Sequence, residues 1–191
     1  MPERGGLSDR PMVLLERSGV MALAKPCGLA TQAPAGFPSV ESWLRDRLPA
    51  GAYLGVPHRL DRAVSGVLLM ATTPRAARQL SRQFERRQVT KTYVAIVAPG
   101  AAVSPVAGAL LEWRDRIAKC PDAAAAAVVG DTLYGGPALA ESSDPDHRRL
   151  PIALHALTIR FRDPDSAEEL VVTATLPSFW PAAAVPLLPG H

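Results

Sequence analysis

The 191-residue chain has only two cysteines, Cys27 and Cys120, and no CxxC pair, so neither a disulfide framework nor the usual zinc or thioredoxin spacing is available. A reducing, cytoplasmic setting is the matching expectation. No apolar run approaches the roughly 18 residues that a spanning helix needs, and the N-terminus, MPERGGLSDR, is too polar for a signal peptide. Membrane and secretory roles are therefore not expected. Aromatic residues make up 5% of the chain, which leaves no evident stacking platform for single-stranded nucleic acid. There is no P-loop, no G-x-G-x-x-G and no G-x-S-x-G nucleophile elbow. Lysine is scarce as well: three of the 21 basic residues are lysine and 18 are arginine.

A hydrophobic fraction of 48% with 20% charged residues fits one globular domain. The net charge of +3 hides an asymmetry, because residues 1–100 carry 14 basic against 7 acidic groups and residues 101–191 carry 7 against 11. The first half is the place to look for an anionic partner. Guanidinium pairs bidentately with phosphate and stacks on bases, which points to nucleic acid, although a GC-rich genome would give the same arginine excess without functional meaning.

Residues 12–15 and 20–24 are apolar runs split by Arg17-Ser18-Gly19, the pattern of a β-hairpin. Between Gly36 and Pro49, Val40, Trp43, Leu44 and Leu48 recur at helical spacing, with Ser39 as N-cap. Residues 66–71 form an apolar run suited to a strand buried on both faces. Residues 92–97 read as another strand, and 152–161 with 170–174 as a hairpin around Asp163-Pro164-Asp165-Ser166. The stretch 103–151, with its alanine run at 123–127, has no hydrophobic periodicity.

Residues 74–88 carry the clearest helical signal, with Thr73 as cap and Pro74 at the first helical position, where its missing N–H costs nothing. Ala77, Leu80 and Phe84 share one face. Arg75, Arg78, Arg82 and Arg86 fall within an arc of about 80° on the opposite face, with only Glu85 beside them. Like charges at i+4 repel by a few tenths of a kcal/mol per pair, and an RNA backbone would relieve that repulsion. A plain solvated face is the competing reading.

The polar string His58-Arg59-Leu60-Asp61-Arg62 stands immediately before the buried strand. A carboxylate held between Arg59 and Arg62 stays ionised and can serve as nucleophile or base; a structural ion pair is the ordinary alternative. His58, Asp61 and His155 could in principle make a metal site, or His58 and Asp61 a hydrolase or phosphodiesterase pair, but no HExxH or paired-cysteine spacing supports a metal.

Three strings in succession, Lys25-Pro26-Cys27-Gly28-Leu29, then His58-Arg59-Leu60-Asp61-Arg62-Ala63-Val64-Ser65-Gly66-Val67-Leu68-Leu69, then Lys91-Thr92-Tyr93-Val94-Ala95-Ile96-Val97, closely resemble the motifs of the RluA-type RNA pseudouridine synthases. The resemblance resumes at Gly130-Asp131-Thr132-Leu133-Tyr134-Gly135, at Leu154-His155-Ala156-Leu157 and at Leu176-Pro177-Ser178-Phe179-Trp180-Pro181. It implies an α+β fold, a mixed and mainly antiparallel sheet with flanking helices, and a cofactor-free, metal-free isomerisation of uridine in ribosomal or transfer RNA. Asp61 then corresponds to the attacking carboxylate, and Tyr93 to the tyrosine that stacks on the base and helps with proton transfer. Arg59 corresponds to the residue that fills the gap left by the flipped nucleotide, in keeping with the general need to extract a base before working on it. His58, Arg62, Lys91 and the stripe Arg75, Arg78, Arg82 and Arg86 become expected RNA contacts, the stripe positioning the backbone without reading sequence. A folded stem-loop is the expected partner.

The chain departs from that family in one respect. A T-G-R-x-H-Q-[IL]-R motif belongs between the segment around Trp113, Arg114, Asp115 and Lys119 and the turn at Gly130-Asp131, yet no glutamine follows Gln88. The expected organisation is thus a flexible segment 1–11, a catalytic domain over 12–181 with strands missing around 111–130 and an internal deletion near 120–129, and a tail over 182–191. The motif's first arginine holds the catalytic aspartate in the family, and removing one partner of a buried charge pair costs about 3–5 kcal/mol. A degenerate RNA-binding member with impaired catalysis is therefore the alternative function. Exposed sheet edges imply a monomer or weak self-association, and poor order is expected over 111–151.

Overall fold

A computed structural model of the chain describes residues 10–98, 127–130 and 150–180. The fold is α+β, built on a six-stranded mixed sheet. The N-terminal hairpin forms where expected: β1 (Met12–Arg17) and β2 (Val20–Lys25) pair antiparallel. Ser18 and Gly19 between them both take positive φ, 51° and 72°, the geometry that matches a two-residue turn to the strand twist.

Strand β3 (Ser65–Ala71) is buried at every position, as its unbroken apolar run required. It pairs antiparallel with β2 from Gly66 to Ala71, and parallel with β7 (Leu154–Arg162) only at Ser65 and Gly66. Gly66 has φ 121° and its α-carbon lies against the Ala156 backbone, so a Cβ there would overlap the Ala156 carbonyl. The opposite edge of β7 carries β4 (Thr90–Ala95), and β7 turns back into β8 (Glu169–Thr173). The pairing order is β1-β2-β3-β7-β4, with β8 also on β7. A short second ladder joins β5 (Val97–Ala98) to β6 (Ala127–Val128).

The expected strand at 92–97 thus divides in two: β4 pairs with β7 as far as Ala95, and Val97 pairs instead with Val128 of β6. Strands β7 and β8 lie within two residues of their expected positions. The expected poor order over 111–151 and the missing strands around 111–130 fall outside the described residues, apart from 127–130, 150 and 151.

Alternation along the strands sends residues to two cores. On one face Val20, Ala22, Val67, Leu69, Ile159 and Phe161 pack with Ala76 and Leu80 of helix α2 (Pro74–Glu85). On the other, Met21, Leu23, Leu68 and Met70 pack with Val40 and Leu44 of helix α1 (Val40–Arg45). Each fully buried aliphatic side chain contributes about 1.5–3 kcal/mol. Helix α1 is shorter than its periodicity suggested and relies on a reciprocal cap between Ser39 and Ser42.

Helix α2 starts at Pro74 with Thr73 Oγ1 accepting from Ala76 N–H at 3.2 Å. Its buried residues are Ala76, Leu80 and Gln83, and Ala77 and Phe84, which share the Leu80 face as spacing predicts, are half-buried against the same core. Gln83 is buried for a polar reason. Its side-chain amide donates to the Arg162 carbonyl at 2.8 Å and accepts from Arg162 N–H at 2.8 Å, prolonging the β7 ladder with a side chain.

Candidate active site and nucleic-acid interface

Asp61 lies on the irregular segment that leads into β3, and that segment is pinned on both sides of it. Thr31 Oγ1 accepts from Leu60 N–H at 3.1 Å and donates to the Leu60 carbonyl at 2.8 Å. Gly28 N–H donates to the Arg62 carbonyl at 2.8 Å, and Arg62 Nε donates to the Gly28 carbonyl at 2.9 Å. The first and second sequence motifs are therefore clamped to each other, while the Asp61 side chain between the clamps is exposed.

The expected bracketing of Asp61 by Arg59 and Arg62 is corrected by the structure. Arg62 is turned toward Gly28, Arg59 is exposed, and among the described residues neither guanidinium forms an ion pair with the Asp61 carboxylate. Val64 N–H donates to the Asp61 carbonyl at 3.1 Å, so Arg62 stands in a turn and its Nε faces the Gly28 carbonyl.

The cation that senses Asp61 is Lys25, which the sequence reading placed in a motif without giving it a role. Its side chain is buried, and Nζ donates to the carbonyls of Pro26 at 2.8 Å, Leu29 at 2.7 Å and Arg62 at 3.2 Å. Burial pulls the amine down to about 7; Cys27 and Asp61 work against that shift and Arg62 adds to it. A lysine at the end of an apolar strand, in a chain that otherwise uses arginine, was the signal that could have found it.

His58 faces inward. Its Nε2 accepts from Leu69 N–H at 2.9 Å, its ring stacks on Phe84 of α2 at 4.5 Å between centroids, and its buried Nδ1 has no hydrogen-bond partner among the described residues. Burial, followed by the charge of Lys91, lowers its pKa to about 4, so the ring is neutral. His155 is engaged elsewhere: Nδ1 lies 2.8 Å from Ser65 Oγ and Nε2 3.4 Å from the Ala174 carbonyl, and burial lowers its pKa as well. Among the described residues no three His, Cys, Asp or Glu side chains gather as metal ligands, so the set His58, Asp61 and His155 is not assembled.

Tyr93 stands on β4 at the register shift, opposite Ala156 and half exposed, with Lys91 Nζ 5.7 Å from its ring centroid. Since Ala156 pairs in turn with Gly66, Tyr93 is two strands from the start of β3. Arg78, Arg82 and Arg86 are exposed on α2, and none forms an ion pair among the described residues. Arg75 departs from the expected uncompensated stripe, because its Nε meets Asp165 of the β7–β8 turn at 3.2 Å. A cavity of about 270 Å³ opens beside the same motifs, with Lys25, Pro26, Ser65 and His155 in its wall; neither Asp61 nor Tyr93 lines it.

Comparison with known proteins gives a consistent picture. Residues 19–130 match the RNA pseudouridylate synthase family, a span that includes Asp61 and Tyr93. The chain is 35% identical over 143 residues to tRNA pseudouridine synthase C of Salmonella typhi, covering 64% of this chain and 52% of that protein. It is 38% identical over 89 residues to the dual-specificity RNA pseudouridine synthase RluA of Yersinia pestis, covering 45% and 42%. It spans about a third to a half of the length of the curated relatives it matches. Among solved structures, the human RNA pseudouridylate synthase domain containing 1 superposes with a TM-score of 0.59 at 17% identity, covering 91% of this chain and 86% of that one. The human domain containing 4 gives 0.54 at 18% identity, covering 87% and 89%.

Proposed function

The chain belongs to the RNA pseudouridylate synthase family, and from that premise we propose that it isomerises uridine to pseudouridine in a folded stem-loop of ribosomal or transfer RNA, with Asp61 as the catalytic carboxylate. The observation that carries this reading is the placement of Asp61: an exposed carboxylate on a backbone fixed at Leu60 and Arg62 by hydrogen bonds to Thr31 and Gly28. A rigid backbone with an accessible oxygen suits a nucleophile that must meet a flipped-out nucleoside in one geometry.

In this reading Asp61 attacks the nucleoside as the N-glycosidic bond breaks, the uracil turns in place, C5 bonds to the ribose as the carboxylate is released, and the C5 proton leaves while N1 takes one up. Tyr93 stacks on the base and assists that proton's departure. Arg59 fills the space vacated by the nucleotide. Arg78, Arg82, Arg86 and Lys91 hold the phosphate backbone, with Arg75 and Arg62 as further contacts. The chemistry requires neither metal nor organic cofactor. The catalytic domain is taken as residues 12–181, working as a monomer or in weak self-association in the cytoplasm. No helix among the described residues is long and apolar enough to cross a membrane.

The test is release of tritium to water from RNA labelled at C5 of uridine. Wild type should release it, and Asp61→Asn should reduce release at least about a thousandfold while leaving RNA affinity within about twofold. Measurable binding without release from any ribosomal or transfer RNA would leave an RNA-binding member of the family and remove the isomerase.

A further inference from the structure

Strand β3 has a backbone problem that points to a role for His58. Its partnership with β7 covers only Ser65 and Gly66, so among the described residues no strand pairs with that edge from Val67 onward. The segment 55–58 takes the place. Gly55 exchanges hydrogen bonds with Ala71 at 2.7 and 2.9 Å, and then the chain bends away toward Asp61 before it can offer a carbonyl to Leu69. The His58 ring supplies the missing acceptor: Leu69 N–H donates to Nε2 at 2.9 Å. Leu69 is fully buried, and an unpartnered N–H there would cost about 1–3 kcal/mol.

The same ring touches the helix that bears the arginines. It stacks on Phe84 at 4.5 Å with 29° between the planes, and Phe84 sits between Arg82 and Arg86. Its acceptor role at Nε2 places the single proton of the neutral imidazole on Nδ1, so one side chain uses an edge on β3 and a face on α2. Arg59 and Asp61 follow one and three residues later.

We propose that His58 is a positioning residue: it locks the segment bearing Arg59 and Asp61 to β3 and to the arginine helix, so that backbone contact and catalytic carboxylate keep one register. This rests on the isomerase reading above and assigns His58 no contact with RNA. Its action on the reaction is indirect, through the place of Asp61.

Two variants separate the edge from the face. His58→Phe keeps the stack and removes the acceptor; His58→Gln keeps an acceptor within reach of Leu69. In tritium release, His58→Phe should lower kcat by about 10- to 100-fold with KM within about threefold, the scale of a small misplacement of a reacting group. Amide hydrogen exchange at Leu69 should accelerate at least about tenfold in the same variant, since its hydrogen bond is gone. His58→Gln should hold kcat within about threefold of wild type. Three results would overturn the proposal: a KM more than tenfold raised at unchanged kcat, which marks a direct RNA contact; an active His58→Phe with unchanged Leu69 exchange; or a His58→Gln as inactive as Asp61→Asn. Should His58→Phe fail to fold, the glutamine variant still decides. Absence of release by wild type instead overturns the isomerase reading, with the exchange at Leu69 reporting separately on the His58 contact.

Discussion

The arginines of the β7–β8 end and those of the α2–β4 end are chemically identical and do different work. At the first, Arg17 reaches Asp163 at 3.1 Å and Glu168 at 2.7 Å, Arg75 reaches Asp165, and Arg160 meets Glu169 at 2.8 Å. At the second, Arg59, Arg78, Arg82, Arg86 and Lys91 are exposed and form no ion pair among the described residues. Charge placed where acids wait serves the fold. Charge left unpaired creates a field for an anion; Arg59 adjoins His58 in the chain, and Lys91 is near enough to His58 to lower its pKa. Lys25 is the limiting case of the first kind, a buried amine whose hydrogen bonds go to backbone carbonyls.

The comparison breaks most visibly at Lys25. Lys25→Met should destabilise the protein by about 2–3 kcal/mol in denaturant titration, because carbonyls of both motif loops lose their donor. The pH dependence has a definite sign. Unfolded, the amine titrates at 10.5, and folded at about 7, so its burial is best tolerated above pH 10.5 and costs increasing stability as pH falls toward 7. Wild type should therefore gain stability from pH 7 to 10 from this group, and Lys25→Met should lose that gain. His58 acts at the acid end. Its pKa falls from 6.5 to about 4 on folding, so the stability it contributes is intact above pH 6.5 and is lost as pH drops toward 4. Thermal melts of wild type and His58→Gln across that range should diverge, with wild type the more acid-sensitive.

The unpaired arginines sharpen it next. Replacing Arg78, Arg82 and Arg86 together by Gln should weaken RNA binding about 10- to 100-fold near 0.1 M salt and reduce the log–log salt slope by about 2–3. An unchanged slope would remove α2 from the footprint. The paired arginines should behave in the opposite way: Arg17→Gln should cost about 1 kcal/mol of stability by stranding the buried Asp163 carboxylate, and leave the slope alone. Asp163 also holds the β7–β8 turn, accepting from the backbone N–H of Asp165 at 2.8 Å and Ser166 at 3.0 Å. Arg160→Gln, at a pair exposed on both sides, is expected to change neither stability beyond about 0.5 kcal/mol nor RNA affinity.

Legibility in the sequence followed the range of the interaction. The Ser18-Gly19 turn, the Thr73-Pro74 start of α2 and the buried run of β3 depend on neighbours a few residues apart, and each was readable. The Ala77, Leu80 and Phe84 face of α2 was readable too, but the burial of Gln83 was not, because it bonds Arg162, 79 residues away, and no local periodicity contains that partner. Asp61 was found through its motif, but its surroundings were not: Arg62 beside it serves Gly28, 34 residues away. Arg75 looked unpaired for the same reason, its partner Asp165 lying on another hairpin.

What the sequence determined by itself is the inventory and the family: an acidic nucleophile candidate in a recognisable string, an excess of arginine in the first half, and elements whose hydrophobic periods announce them. Local propensity and motif order carry that information along the chain. Only the tertiary structure decided which cations are neutralised and which face outward, that Lys25 is caged, and that His58 completes the edge of β3. Those outcomes depend on which distant groups packing brings within about 3 Å, the distance at which hydrogen bonds and ion pairs act.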